Sequence, residues 1–169
     1  MAELSAKMLD LDHLVRVRES LRSSGKTVVL TNGCFDILHV GHVRYLRKAR
    51  ELGDFLVVGL NSDDSVRALR GPLRPIIPQA ERAEILAALE PVDCVVVFSE
   101  LTAERLAEIV RPDVYAKGGD YGVDGVSGKY LPEARVVTSY GGRVEIIPYV
   151  AGRSTTGLID VILQKYCRQ

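Results

Sequence analysis

A doubly wound parallel α/β sheet of about five strands is what this sequence predicts, and three observations carry that expectation. Short apolar, β-branched runs at residues 27–30, 55–60, 92–98, 113–116 and 143–147 alternate with stretches of helical periodicity. Strands separated by helices run parallel, because each crossover returns the chain to the same end of the sheet. Polar, glycine-bearing clusters follow the strands at 32–42, 117–121 and 152–156, with a smaller polar cluster at 61–63. In such sheets ligands bind beyond the carboxyl ends of the strands, where strand order reverses. Turn chemistry explains any one of these clusters, but their common rim points to a ligand site.

The elements follow in order. Residues 11–21, with Leu14, Val15, Val17 and Leu21 apolar, form a leading helix stopped by Ser23, Ser24 and Gly25. The first strand, 27–30, is expected to break at Asn32 and Gly33. From Gly41 onward Val43, Leu46, Ala49 and Leu52 recur at helical spacing, and Gly53 is the expected C-terminal stop. The second strand, 55–60, leads into a short helix opened by Asp63, Asp64 and Ser65. Residues 70–78 carry three prolines and a glycine, which exclude regular helix. A helix at 79–89 presents Ala83, Leu86 and Leu89 on one face. After the third strand, Thr102 is the expected cap of a helix that stops before Pro112. The fourth strand ends at Lys117, and residues 122–129, with three glycines, read as a mobile loop. A helix at 132–140, the last strand and a closing helix at 154–165 complete one domain, with a leading helix in 1–25 and an α/β core over 26–169.

A chain of 169 residues suffices for one domain with a substantial core. Lys+Arg and Asp+Glu balance at 22 each, so no net field favours nucleic acid or an anionic membrane. No apolar run has the length of a spanning helix, and the first residues are too charged for a signal peptide. Cys34, Cys94 and Cys167 are odd in number and far apart, which argues against a disulfide framework or a zinc knuckle. A cytoplasmic protein without nucleic-acid or membrane partners is expected.

The chain is organised around residues 27–53, where His39, Val40, Gly41 and His42 mark the handover from strand to helix. Free N–H groups and the positive end of a helix dipole attract phosphate there. Gly41 lets a ligand approach the backbone, and two imidazoles three positions apart face one side of the first turn. Helix capping and metal binding are the other roles open to such a pair. Neither a P-loop, nor a G-x-G-x-x-G after the first strand, nor a G-x-S-x-G elbow occurs. Cys34 reads as a small packing residue. Phosphate donors without a protein nucleophile suit in-line transfer between two phosphorylated substrates.

The run from Gly33 to His42 resembles the H-x-G-H signature of the nucleotidyltransferase superfamily that contains cytidylyltransferases and pantetheine-phosphate adenylyltransferase. With it, T-N-G-C-F-D from Thr31, R-P-I from Arg74, E-R from Glu81, K-G-G-D-Y from Lys117, L-P-E from Leu131 and G-R-S-T-T from Gly152 are similar to the D-glycero-β-D-manno-heptose 1-phosphate adenylyltransferases. The likeness extends from about Leu14 to the last residue. H-x-G-H alone is specific only to the superfamily; K-G-G-D-Y and G-R-S-T-T narrow it. Two features depart from the pattern. Arg70 stands where the family commonly has Lys, and the stretch 122–129 is longer than expected.

The resemblance implies a Rossmann-like enzyme that moves AMP from ATP to the heptose 1-phosphate and releases pyrophosphate. Asn32, Gly33, Cys34, Phe35 and Gly41 would underlie the ATP phosphates, with His39 and His42 donating to the α-phosphate. Arg153, Ser154, Thr155 and Thr156 would hold the departing pyrophosphate, and Arg70 would close over it. Lys117, Gly118, Gly119 and Asp120 would flank the adenosine; Asp36, Asp63 and Arg82 would lie towards the sugar phosphate. Mg²⁺ would bridge the triphosphate, held by substrate and water rather than by a protein metal site. The attacking phosphate oxygen is already anionic, so no general base is required. The implied partners are ATP and a sugar 1-phosphate, a separate sugar kinase upstream, and a second copy of the chain in a dimer. A related cytidylyltransferase acting on glycerol 3-phosphate and a non-catalytic nucleotide-binding module are the alternatives. The paired histidines with Arg153 and Ser154 count against the latter.

Overall fold

The structure is a computed structural model, and it describes residues 6–119, 121–122, 129–148 and 154–167. Among these, α1 (Leu11–Ser23) precedes β1 (Val28–Gly33), α2 (Val40–Arg50), β2 (Phe55–Asn61), α3 (Asp63–Arg70) and α4 (Gln79–Ala87). Then follow β3 (Cys94–Phe98), α5 (Glu104–Val110), β4 (Val114–Gly118), the short β5 (Tyr121–Gly122) and β6 (Lys129–Tyr130), α6 (Pro132–Ser139), β7 (Arg143–Ile147) and α7 (Thr155–Tyr166). The main sheet has five parallel strands in the order β3-β2-β1-β4-β7. Strand order reverses between β1 and β4, so the carboxyl ends of those two strands frame the ligand crevice of a doubly wound sheet.

Alternation along the buried strands builds two cores, one on each face. Val28, Leu30, Val57, Cys94, Val96 and Tyr115 point to the side covered by α1, α5 and α6, where Leu14, Leu106, Val110 and Val137 meet them. Val29, Leu56, Val58, Leu60, Val95 and Ala116 point to the side covered by α2 and α4, against Leu46, Ala49, Ala83 and Leu86. The amino ends of the strands are held in register by three aspartates. Asp54 accepts from the Thr27 N–H at 2.9 Å, Asp93 from Leu56 at 2.8 Å and Asp113 from Val28 at 2.8 Å. That arrangement leaves the opposite rim free for loops.

Several boundaries differ from the sequence expectation. β1 does not break at Asn32; it runs through Gly33, because Asn32 and Gly33 still pair with Gly59 and Leu60 of β2. Gly53 is not a left-handed helix stop. A Cβ there would lie 2.7 Å from Val29 Cγ2 and 2.8 Å from the Thr27 carbonyl oxygen, so this glycine permits close packing of the turn on β1. Thr102 does not cap α5. Its hydroxyl donates to Glu104, while the buried Glu133 carboxylate of α6 accepts from the Ala103 N–H at 2.7 Å. Arg70 belongs to the last turn of α3 rather than to the proline-rich loop. The stretch 123–128, expected to be mobile, lies outside the described residues. Among the described residues, no helix is long and apolar enough to cross a membrane.

Candidate active site

The turn after β1 bends back sharply. Phe35 takes a positive φ of 44°, a region disfavoured for a bulky side chain, and its ring is buried at 6% exposure. Gly33 makes this possible, since a Cβ would sit 3.0 Å from the Phe35 ring. The Phe35 ring then meets His42 edge-on with centroids 5.3 Å apart. His39 caps α2, its Nδ1 accepting from the Gly41 N–H at 3.1 Å. That bond places the proton of the neutral His39 ring on Nε2. His42 stacks on His39 with centroids 3.9 Å apart and an interplanar angle of 21°. Two imidazolium charges cannot share that stack. Burial, then the neighbouring His39, push His42 down to about 4, so it is neutral at physiological pH. Its Nδ1 is buried without a partner among the described residues.

Tyr45 of α2 anchors this helix to the switch point. Its hydroxyl shares a 2.6 Å hydrogen bond with Thr31 of β1 and donates to the Ala116 carbonyl of β4 at 3.0 Å. Across the crevice, the Asn32 Oδ1 accepts from the Tyr115 hydroxyl and from Lys117 Nζ, both at 2.6 Å. Burial pulls Lys117 below the usual lysine range; Glu133 and Cys34 push it back, and the Arg70 charge adds to the lowering. Gly118 and Gly119 continue from Lys117, with Gly119 donating to the Ile147 carbonyl at 3.0 Å. At the third edge, the Thr155 hydroxyl donates to the Ile37 carbonyl at 3.4 Å, and the Ser154 Oγ caps α7 by accepting from the Gly157 N–H at 3.0 Å. Thr156 is exposed in the same first turn.

The structure thus gathers Asn32, Gly33, Cys34, Phe35, His39, Gly41, His42, Lys117, Gly118 and Thr155 around one crevice. Arg153 and Asp120 lie outside the described residues. Three residues expected towards the sugar phosphate have other commitments. Asp36 is buried; its Oδ1 accepts from the N–H groups of Ile76 and Ile77 at 2.8 and 3.0 Å, and its Oδ2 from Arg74. Arg82 is 1% exposed and donates to the carbonyls of Cys34, Asn61 and Ile77 and to Asp63 at 2.7 Å. Asp36, Asp63 and Arg82 therefore brace the turn after β1 against residues 74–77 from within. Arg74 meets the charge of Asp36, and Arg82 that of Asp63. Tyr115, Tyr45 and Glu133 were missed as site residues. A tyrosine in a buried strand needs a partner for its hydroxyl, and that was the available signal for Tyr115.

A family model described as cytidylyltransferase-like matches residues 30–148, from the middle of β1 to the end of β7. The chain belongs to the cytidylyltransferase-like family. It is accordingly a nucleotidyltransferase, an enzyme class that acts on nucleoside triphosphates with a divalent cation. The chain is 58% identical over 165 residues to the bifunctional protein HldE of Syntrophotalea carbinolica, with 94% of this chain and 33% of that protein covered. Identity to the HldE of Geobacter metallireducens is 55%, covering 98% of this chain and 33% of that protein. The chain thus spans about a third of the length of the curated relatives it matches. Among solved structures, a lipopolysaccharide core biosynthesis protein from Thermoplasma volcanium superposes with a TM-score of 0.58 at 29% identity, covering 75% of this chain and 98% of that one. The pantoate-beta-alanine ligase of Francisella tularensis shares the fold at TM-score 0.58 and 14% identity, covering 96% of this chain and 79% of that one.

Proposed function

We propose that the enzyme transfers AMP from ATP to D-glycero-β-D-manno-heptose 1-phosphate, giving ADP-heptose and pyrophosphate. The carrying observation is the stacked His39–His42 pair at the start of α2, set beside the switch point between β1 and β4. Similarity to the HldE proteins and to a lipopolysaccharide core biosynthesis protein supports a sugar phosphate as acceptor. In the reaction, a sugar phosphate oxygen attacks the α-phosphorus, forming one P–O bond as the bond to the β-phosphate oxygen breaks. Negative charge grows on the five-coordinate phosphorus and on the leaving pyrophosphate. Neutral His39 offers its Nε2–H, and His42 gains basicity when a phosphate replaces water beside it, so both donate as charge develops. Lys117 and Asn32 orient the nucleotide, and the first turn of α7 with Arg153 receives the pyrophosphate.

Among the described residues, no three His, Cys, Asp or Glu side chains are grouped to hold a metal. Mg²⁺ would be held by the triphosphate oxygens and water, where it would supply charge neutralisation. A sugar kinase must supply the sugar 1-phosphate.

The test is pyrophosphate release from ATP, CTP and GTP, each against heptose 1-phosphate and glycerol 3-phosphate. ATP with the heptose should be preferred; release with CTP and glycerol 3-phosphate instead would assign the enzyme to the cytidylyltransferases. In His39→Ala and His42→Ala, kcat should fall by about 10²–10³ while nucleotide affinity changes much less. Near-normal turnover in either would remove the histidines from the mechanism.

A further inference from the structure

A second polar cavity lies at the opposite rim, under the amino ends of the strands. Its volume is about 140 Å³, enough for more than a single water, and Arg18, Arg22, Arg111, Asp113 and Tyr140 line it. Arg18 of α1 is 7% exposed, and its guanidinium is anchored on one side only. Nε and Nη2 donate to the Arg111 carbonyl at 3.2 and 2.9 Å, and Nη2 also to Asp113 Oδ1 at 3.0 Å. Nη1 is buried with no partner among the described residues, and so is the Tyr140 hydroxyl. Two orphaned polar atoms around one cavity call for an occupant.

The charge around the cavity says what kind. Among the described residues, three arginines and one carboxylate line the cavity, and that carboxylate is already used: Asp113 Oδ1 accepts from Arg18 and Oδ2 from the Val28 N–H. Arg111, which also lines the cavity, lies with its guanidinium 4.9 Å over the Tyr140 ring. Burial pushes the Tyr140 phenol up to about 12, so it keeps its proton and can donate. Water would satisfy Nη1 and leave the excess positive charge uncompensated. An oxyanion answers both needs through charge-assisted hydrogen bonds.

We propose that this cavity is a second anion site, remote from the nucleotide crevice, which takes a small tetrahedral oxyanion of the phosphate class through Arg18, Arg22, Arg111 and Tyr140. Occupancy ties α1 to the ends of α5 and α6, adding to the Arg18–Arg111 hydrogen bonds and the Arg111–Tyr140 ring contact. None of these residues belongs to the nucleotide crevice, so the inference stands independently of the substrate assignment.

The experiment is a titration of the full chain with inorganic phosphate at constant ionic strength, following the backbone amide resonances of Gly141 and Gly142 beside the cavity. Those resonances should shift saturably. In Arg22→Ser combined with Arg111→Asn, the apparent Kd should rise about tenfold or more. Asparagine is chosen because it tolerates the left-handed backbone of Arg111, where φ is 46°. Phosphate binding in the nucleotide crevice is common to both proteins and cancels. Tyr140→Phe, which keeps the ring and loses only the hydroxyl, should weaken binding several-fold and serves if the double variant does not fold. Amides that ignore phosphate, or shift equally in wild type and variants, would mean a water-filled cavity and overturn the proposal. An equal response to acetate would overturn its phosphate class.

Discussion

Replacing His42 with glutamine should remove much of the protein's sensitivity to mild acid. The folded protein holds His42 at about 4, against an ordinary value of 6.5, because the ring is buried and stacked on His39. The unfolded chain therefore takes up this proton first. Stability from His42 is complete above 6.5 and is lost as the pH falls towards 4. A shift from 6.5 to about 4 corresponds to roughly 3 kcal/mol when fully expressed, of which about 2 kcal/mol is lost by pH 5. That is a large part of a typical domain's stability. Urea unfolding of wild type and His42→Gln at pH 7.5 and pH 5 isolates the term, since the carboxylates that also titrate are common to both. The wild type should lose about 2 kcal/mol more than the variant between the two pH values. Equal losses would show that His42 is not held neutral, and the account of the stack would fail with it.

Three further outcomes follow from the geometry. Arg82→Ala should cost about 3 kcal/mol or more in urea unfolding, because it strips donors from three carbonyls and leaves Asp63 unpaired; normal stability with only a raised KM for the sugar phosphate would restore Arg82 to the substrate site. Gly53→Ala should destabilise by about 1–3 kcal/mol, since the new methyl meets Val29 and the Thr27 carbonyl below 3.0 Å; a gain in stability would refute the close-packing role. Arg70→Ala should lower kcat/KM by about tenfold or more while Arg70→Lys keeps most activity, measured by pyrophosphate release; a fully active alanine variant would remove Arg70 from the rim.

What the sequence determined by itself was the alternation and the handover point. Five apolar runs separated by helical periods admit little besides a parallel sheet, and β7 was found at its expected residues. The place of the H-x-G-H run was equally legible, because strand and helix periodicity on either side leaves no other position for the turn. Tertiary structure alone decided what the charged residues there do. Asp36, Asp63 and Arg82 looked like ligand contacts in the chain, and only folding shows that Asp36 pairs with Arg74, 38 positions on, and Arg82 with Asp63, 19 positions before it. The end of β1 was hidden for the same reason, since Asn32 and Gly33 stay extended through pairing with β2 rather than by their own preference. Local pattern reports which backbone a residue favours and which face it shows. Which partner saturates a polar group depends on contacts distant in sequence, and those are fixed only when the sheet is assembled.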